Sequence, residues 1–286
     1  MALNYNVTSR LMRNIQALTT MTAMLLFAVT AQPRAATRSL AVDPALAAAI
    51  ENPARTPAFS ARDSARHPAE ELTFFGIKPD MTVVELWPGG GYWTEILGGY
   101  LAPHGTYYVA LPPAGDKEED EGIARWRARV AAQAGHFATI HETVLGAGQD
   151  TIAPPGTADL VLTFRNLHNW MDGGFAAEAL AASFAALKPG GIFGIEEHRG
   201  RRDKPQDPKA KDGYVREDYA IDLAKKAGFK LIGASQINAN PRDTKDWVDG
   251  VWTLPPTLSQ GDKDRARYVA VGEADNFVLK FRKPLH

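Results

Sequence analysis

The chain has 286 residues, a formal net charge of −1, 23% charged residues and no cysteine. That length supplies one substantial core with room for appendages, and the near-neutral balance points away from polyanion binding and from disorder of the bulk. Without thiols, disulfides, thiolate metal sites and cysteine nucleophiles are excluded.

Arg10 and Arg13 precede an apolar stretch, ALTTMTAMLLFAVTA at residues 17 to 31, which ends in small residues. A positive start, an apolar middle and a small-residue exit match a secretory signal, with Val29 and Ala31 suited to the cleavage positions. An uncleaved anchor is the competing reading, but the apolar stretch is short and broken by threonines. The chain thus divides into a signal peptide at 1–31, a linker with a short helix at 32–62, and the main domain at 63–286. The mature protein is expected in the periplasm or otherwise exported, with no stable membrane insertion after cleavage.

DPALAAAIEN reads as a helix capped by Asp43 with Pro44 in its first position. SARHPAEELTFFGI reads as a second helix ending near Gly76, with Leu72, Phe74 and Phe75 turned inward. Strands are expected in TVVEL, in GTYYVALPP at 105 to 113, in FATIHETVL, from Leu160 to Phe164, and in GIFGIEEH, FKLIGASQI and NFVLKFRKP. Between them, DEGIARWRARVAAQAG at 120 to 135 spaces Ile123, Trp126 and Val130 along one helical face. GGFAAEALAASFAALKPGG and YVREDYAIDLAKKAG are the remaining helices. Alternation of strand and helix, with several continuous apolar strands, predicts a mostly parallel sheet covered by helices. Only an irregular segment, 238 to 274, separates the last two strands, so those two suit a terminal hairpin arrangement.

The stretch VVELWPGGGYWTEIL, residues 83 to 97, is a strand, a glycine-dense turn and a helix start. Such a turn presents backbone N–H groups and a positive dipole end to a ligand. Gly89, Gly90 and Gly91 remove side chains where the backbone approaches, and Glu85 can accept hydrogen bonds from an amine or hydroxyl. The lysine of a P-loop is missing, and so is the G-x-G-x-x-G spacing of a dinucleotide site. Taken alone, the three glycines also fit a tight structural turn.

TFRNLHNWMDGG follows the fourth strand, where open α/β sheets place their sites. Asn166 is suited to orienting a ligand, His168 to general-base work, and Arg165 to binding an acidic substrate. Asn169 and Asp172 read as helix-start residues. In EEHRG, strand alternation puts Glu196 and His198 on one face and Glu197 on the other; His198 and His168 end adjacent strands in this topology, which suits both to border one pocket. Two histidines with carboxylates invite a metal reading; no H-E-x-x-H pair compels it, and no metal is assigned. Tyr214 and Arg216 are placed as gating residues. The loop carrying Asn238, Asn240, Arg242, Trp247 and Trp252 reads as a lid over a small, aromatic or acidic acceptor. The basic cluster HRGRRDKPQDPK is interrupted by acids and prolines and reads as a solvated loop, so no nucleic-acid partner is expected.

From Phe74 to Pro284 the order of elements resembles the class I S-adenosylmethionine-dependent methyltransferases. The resemblance implies an α/β fold with a single Rossmann-like seven-stranded sheet, helices on both faces and an antiparallel last strand, preceded here by an N-terminal helical extension. It sets Glu85 at the acidic position after the first strand, Gly89 and Gly91 at the second and third glycines, and Trp87 in place of the first. LKPGG at 187 to 191 resembles the junction into the fifth strand. More narrowly, ELWPGGGYWTEIL, RNLHNW and NPRDTKDWVDGVWTLPPTL together resemble a group of bacterial exported proteins described as methyltransferases.

On this resemblance S-adenosylmethionine is the cofactor, held by Glu85, Trp87, Gly89, Gly90, Gly91, Leu111 and Asn166. Catalysis falls to His168, His198 and Asn166, and a small-molecule acceptor meets Arg165, Tyr214, Arg216, Trp247 and Trp252. The acid that binds the cofactor ribose in this superfamily would fall near Ala110 or Leu111, and only Asp116 and Glu118 lie just beyond. Residues 142 to 145 are placed to frame the adenine. The alternative is an exported, non-catalytic protein that keeps the fold and binds a small ligand.

Overall fold

A computed structural model describes residues 41–133 and 135–286, so the expected signal segment lies outside the described residues. Four short helices lead in: α1 (Pro44–Ile50), α2 (Pro57–Ser60), α3 (Asp63–Arg66) and α4 (Pro68–Phe75). Asp43 caps α1 by accepting from the Ala45 N–H, and Pro44 opens it without wasting a donor. SARHPAEELTFFGI does not form one helix, because His67 sits in the left-handed region at φ 44. The ring of Pro68 disfavours helical geometry for the residue before it, which breaks the run and starts α4 afresh. Gly76 ends α4 at φ 83 and donates to Leu72 and Thr73.

The main body follows as β1 (Thr82–Leu86), α5 (Tyr92–Leu101), β2 (Thr106–Leu111), α6 (Lys117–Ala132), β3 (Ile140–Val144), β4 (Ala158–Phe164), α7 (Leu167–Asp172), α8 (Ala176–Ala186) and β5 (Leu187–His198). It closes with α9 (Glu217–Lys226), β6 (Lys230–Ser235), α10 (Arg265–Val271) and β7 (Asn276–Arg282). LKPGG proves to be the irregular first part of β5, where Leu187 already pairs with Ala158.

The seven strands form one sheet in the order β3-β2-β1-β4-β5-β7-β6. Strands one to five run parallel, and β7 is antiparallel to both β5 and β6. Successive side chains on the strands feed opposite faces. Val83, Tyr107, Leu160 and Leu162 pack against α1, α4, α5 and α6. Val84, Leu86, Val161 and Phe193 pack against α7, α8 and α9. A third cluster of Tyr214, Val251, Leu254, Tyr268 and Ala274 fastens the segment between β6 and β7. Among the described residues no helix is long and apolar enough to cross a membrane.

Candidate functional site

The strand order reverses direction between β1 and β4, and the crevice outside their carboxyl ends is where open α/β sheets bind ligands. Residues 87 to 91 cross that crevice. Trp87 takes the left-handed conformation, φ 49, which suits a glycine far better than a tryptophan. Three interactions hold it there. Its N–H donates to Ala110 O at 2.8 Å, its indole Nε1 donates to Leu145 O at 2.9 Å, and its ring packs on Trp170 and Phe175. From the other side the Asn166 side-chain amide donates to Leu86 O, Trp87 O and Thr163 Oγ1. Asn166 therefore positions the turn, with its Oδ1 left for a ligand.

The glycines divide their duties. A Cβ on Gly89, φ 55, would meet nothing within 4 Å, so the backbone there faces open space. Gly90 lies against Phe59. Gly91, φ 97, heads α5, and a methyl group added there would come within 3.2 Å of Trp126. Two cavities, about 330 and 420 Å³, meet at this turn and share Trp87, Pro88, Gly89, Gly90, Asn166 and Asn169. The larger lies at the end of β2, between Leu111, Pro112 and the α6 residues Glu119, Ile123 and Trp126. The smaller lies outside β1, β4 and β5 and holds Glu85, Arg62, Arg66, Arg165, His168, His198 and Trp252.

Glu85 is 1% exposed. Its Oε2 accepts from Thr94 at 2.8 Å and from Tyr107, whereas Oε1 has no partner and the residue borders the smaller cavity. Burial raises the carboxyl to about 7, against the pull of the Tyr107 and Thr94 hydrogen bonds. A raised carboxyl keeps its proton in the fold after the unfolded chain has lost it. Its contribution to stability is therefore complete at low pH and declines as pH rises from about 4.5 through about 7, by roughly 3 kcal/mol. Urea unfolding of wild type and Glu85→Gln near pH 5 and pH 8 checks this. The variant should lose that part of the pH dependence, and an unchanged slope would assign it to other groups.

His168, on α7, is 5% exposed. Its ring Nδ1 meets Glu197 Oε1 at 2.9 Å and its backbone N–H donates to Oε2 at 3.1 Å. Burial alone would raise Glu197, but His168, by charge and hydrogen bond, and His198 outweigh it and hold the carboxyl below its ordinary value. A carboxylate on Nδ1–H fixes the tautomer and leaves Nε2 to accept. At the end of β5, Glu196 Oε1 accepts from the Nδ2 of Asn276 on β7, so the Asn276 Oδ1 must accept from His198 Nδ1 at 2.7 Å. Burial drives His198 down to about 3, which keeps it neutral at pH 7. The two imidazoles lie 5.4 Å apart, and Trp252 stands edge-on to His168 at 5.9 Å.

The alternation read from the strand holds: Glu196 and His198 share Asn276, while Glu197 reaches His168. His168, Glu197 and His198 also bring ligand atoms within 4.8 Å of one another, a grouping compatible with a cation. Spacing along the chain gives no sign of it, because α7 and β5 meet only in the fold. Glu197 already accepts from three donors, which makes it an orienting carboxylate for the histidines.

The remaining sequence-derived residues separate clearly. Arg165, φ 62, and Trp252 line the smaller cavity, and Leu111 lines the larger. Tyr214 and Arg216 do not reach either. The Tyr214 hydroxyl is committed to both oxygens of Asp243, and the Arg216 guanidinium turns outward to Asp218 and Lys204 O. Trp247 anchors the lid segment, donating to Asp243 and packing on Tyr268. Asp116 caps α6, Glu118 is exposed, and Glu142 pairs with Arg127, so none of these serves the cavity at β2.

Glu119 does line that cavity, and the sequence carries its signal. Positions 119, 123 and 126 share one helical face, so the apolar stripe of Ile123 and Trp126 extends back to this acid. Asn169, a helix-start residue by its sequence, borders both cavities. Phe59 and Arg62, from the segment expected as linker, form part of the cavity wall, as does Arg66.

Solved structures share this architecture. An S-adenosylmethionine-dependent methyltransferase from Aquifex aeolicus superposes with a TM-score of 0.52 at 16% identity, over 78% of this chain and 93% of that one. A second, from Methanosarcina mazei, gives 0.50 at 13% identity, over 75% and 98%. The cyclase SpnF gives 0.50 at 16% identity, over 82% and 86%. No model of a known protein family matches the sequence, and no curated protein does. The fold is thus that of the S-adenosylmethionine-dependent methyltransferases. One of the three is described as a cyclase, so the fold by itself does not fix the reaction.

Proposed function

We propose that the protein transfers a methyl group from S-adenosylmethionine to a small-molecule acceptor. The observation that carries this reading is His168, oriented by buried Glu197, in the same cavity as the open face of Gly89 and the unpartnered Oε1 of Glu85. These residues fit the cofactor. Glu85 offers an acceptor to an ammonium group, Gly89 and Gly90 admit close approach of the chain, and Leu111 with Glu119 borders the space at β2.

S-adenosylmethionine, when bound, supplies a methyl group already activated on a sulfonium. The chain's own tasks are alignment, exclusion of water and removal of the acceptor's proton. His168 Nε2 takes that proton, and Glu197 stabilises the imidazolium that results. His198, neutral, accepts a hydrogen bond from the acceptor. Trp252 walls the cavity beside them.

Glu119 takes the place of the ribose acid that the end of β2 lacks. Glu119→Gln is expected to weaken S-adenosylhomocysteine by about 10- to 100-fold, the worth of a charge-assisted hydrogen bond. Isothermal titration checks it, and unchanged affinity would remove Glu119 from the site.

Export, supported by residues 17 to 31, belongs to the proposal, as does kinship with the exported bacterial group named above. Two features favour a second reading, a non-catalytic binding protein: Trp87 in a glycine's position and no acid at Ala110 or Leu111. Incubation with methyl-labelled S-adenosylmethionine and a small-molecule extract separates the two. Label entering a small molecule, lost with His168→Ala, supports the enzyme. Cofactor binding without any labelled product supports the binding protein.

A further inference from the structure

Arg66 is 4% exposed, yet among the described residues its side chain makes no hydrogen bond. Its Nε lies 3.6 Å from Glu273 Oε2, beyond hydrogen-bonding reach. The Tyr92 ring covers its guanidinium at 4.3 Å, a contact that takes no N–H. A buried cation left with its donors unused is costly unless a ligand supplies the acceptor.

The neighbours sharpen this. Glu273 is already engaged twice, by Arg62 through Nε and Nη2 at 2.7 and 2.8 Å and by Arg165 Nη1 at 2.8 Å. Burial alone would raise its carboxyl, but Arg62 and Arg165 outweigh that and keep it ionised. Three guanidiniums therefore share one carboxylate at close range, and all three border the smaller cavity. The next carboxylate, Glu196, is 4.0 Å from Arg165 Nε and serves mainly Asn238 and Asn276. Three guanidiniums thus face one ionised carboxylate, Glu273, and two carboxyls raised by burial, Glu196 and Glu85, around an aromatic-lined space.

We propose that Arg66, flanked by Arg62 and Arg165, receives an oxyanion, a carboxylate or phosphate, of the small molecule that fills this cavity. The planar fork of a guanidinium suits such a group bidentately. The oxyanion belongs either to the methyl acceptor or to the amino-acid end of the cofactor. This deepens the proposed function and rests on it only for the choice between those two sources.

The test is thermal unfolding of the whole chain with inorganic phosphate or benzoate, against sodium chloride at equal ionic strength. Wild type should show a saturable rise in Tm with phosphate or benzoate beyond that of chloride. Arg66→Met should unfold a few degrees higher than wild type without ligand, because a buried charge without hydrogen bonds is gone, and should lose the anion response. Arg66→Lys, which keeps the charge without the fork, should retain less than half of it and decides the matter if the methionine variant fails to fold. No anion-specific shift in wild type, or an undiminished one in the variants, overturns the proposal.

Calorimetry with S-adenosylhomocysteine and methylthioadenosine, which lacks the amino-acid end, then names the source. A more than tenfold loss for the first alone in Arg66→Met assigns the oxyanion to the cofactor. Unchanged affinity for both, with the phosphate and benzoate responses gone, assigns it to the acceptor. The anion arms contain no cofactor, so failure of S-adenosylhomocysteine to bind wild type sinks the methyltransferase reading while the oxyanion result stands.

Discussion

Exchange of His168 for alanine is expected to lower turnover by about 10²- to 10⁴-fold, the usual range for loss of a positioned general base. S-adenosylhomocysteine affinity should stay within about twofold of wild type, because the ring's partners are Glu197, His198 and Trp252 and its proposed task is proton removal rather than holding the cofactor. The expectation follows from how the ring is held. Glu197 accepts from both Nδ1 and the backbone N–H of His168, so the imidazole has one orientation and one free nitrogen. Glu197→Gln should reproduce part of the loss by allowing the wrong tautomer. His168→Gln serves as the control for volume. Rates with the labelled cofactor, measured beside binding, separate the two effects; turnover that survives His168→Ala intact would remove the base from this position.

Gly89→Val is expected to weaken S-adenosylhomocysteine by about 100-fold or more, roughly 3 kcal/mol or above. Two costs combine. A β-branched side chain in the left-handed region costs the backbone about 1–2 kcal/mol, and the new methyl groups project into the open space beside the turn, where the ligand chain must lie. Backbone strain has its own control in Gly156→Val. Gly156, φ 70, also has nothing within 4 Å of an added Cβ and borders neither cavity at the turn. Both variants should lose similar stability, and only Gly89→Val should lose binding. Equal loss of binding in both would mean that strain spreads through the fold and that the turn is not a ligand cradle.

Much of this is legible in the sequence, for physical reasons. Buried parallel strands are apolar runs, and glycine-dense turns after them are hard to mistake, so the mostly parallel sheet, the pairing of its last two strands and the turn at 87 to 91 can be read directly, whereas the antiparallel place of β7 beside β5 is what the family resemblance implies. The helix break at His67 is signalled too, by Pro68, although the periodicity around it suggests one continuous helix. What the chain does not show is pairing across distance. Glu197 and His168 are joined only when α7 lies against the end of β5, and Arg66 becomes a cavity residue only when α3 packs beside α5. Tyr214, Arg216 and Trp247 carry the right chemistry for a gate, but each finds its partner outside the cavity: Asp243 for the first and last, Asp218 for the second. A polar side chain in a loop looks the same whether it waits for a ligand or fastens the loop.

Trp87 shows how a departure from a pattern can be compensated. A tryptophan in the left-handed region is strained, and here its indole hydrogen bond to Leu145 O and its packing on Trp170 and Phe175 hold the turn in shape without a glycine. The turn is rigid as a result, which suits a preformed ligand site.

Calorimetric titration of the protein with S-adenosylhomocysteine is the most direct measurement of the central claim. Saturable one-to-one binding near about 1 μM, close to −8 kcal/mol, is the expected result. No saturable heat at concentrations up to about 1 mM, where even a binding energy of about −4 kcal/mol would register, would contradict it and leave a methyltransferase fold that holds some other ligand.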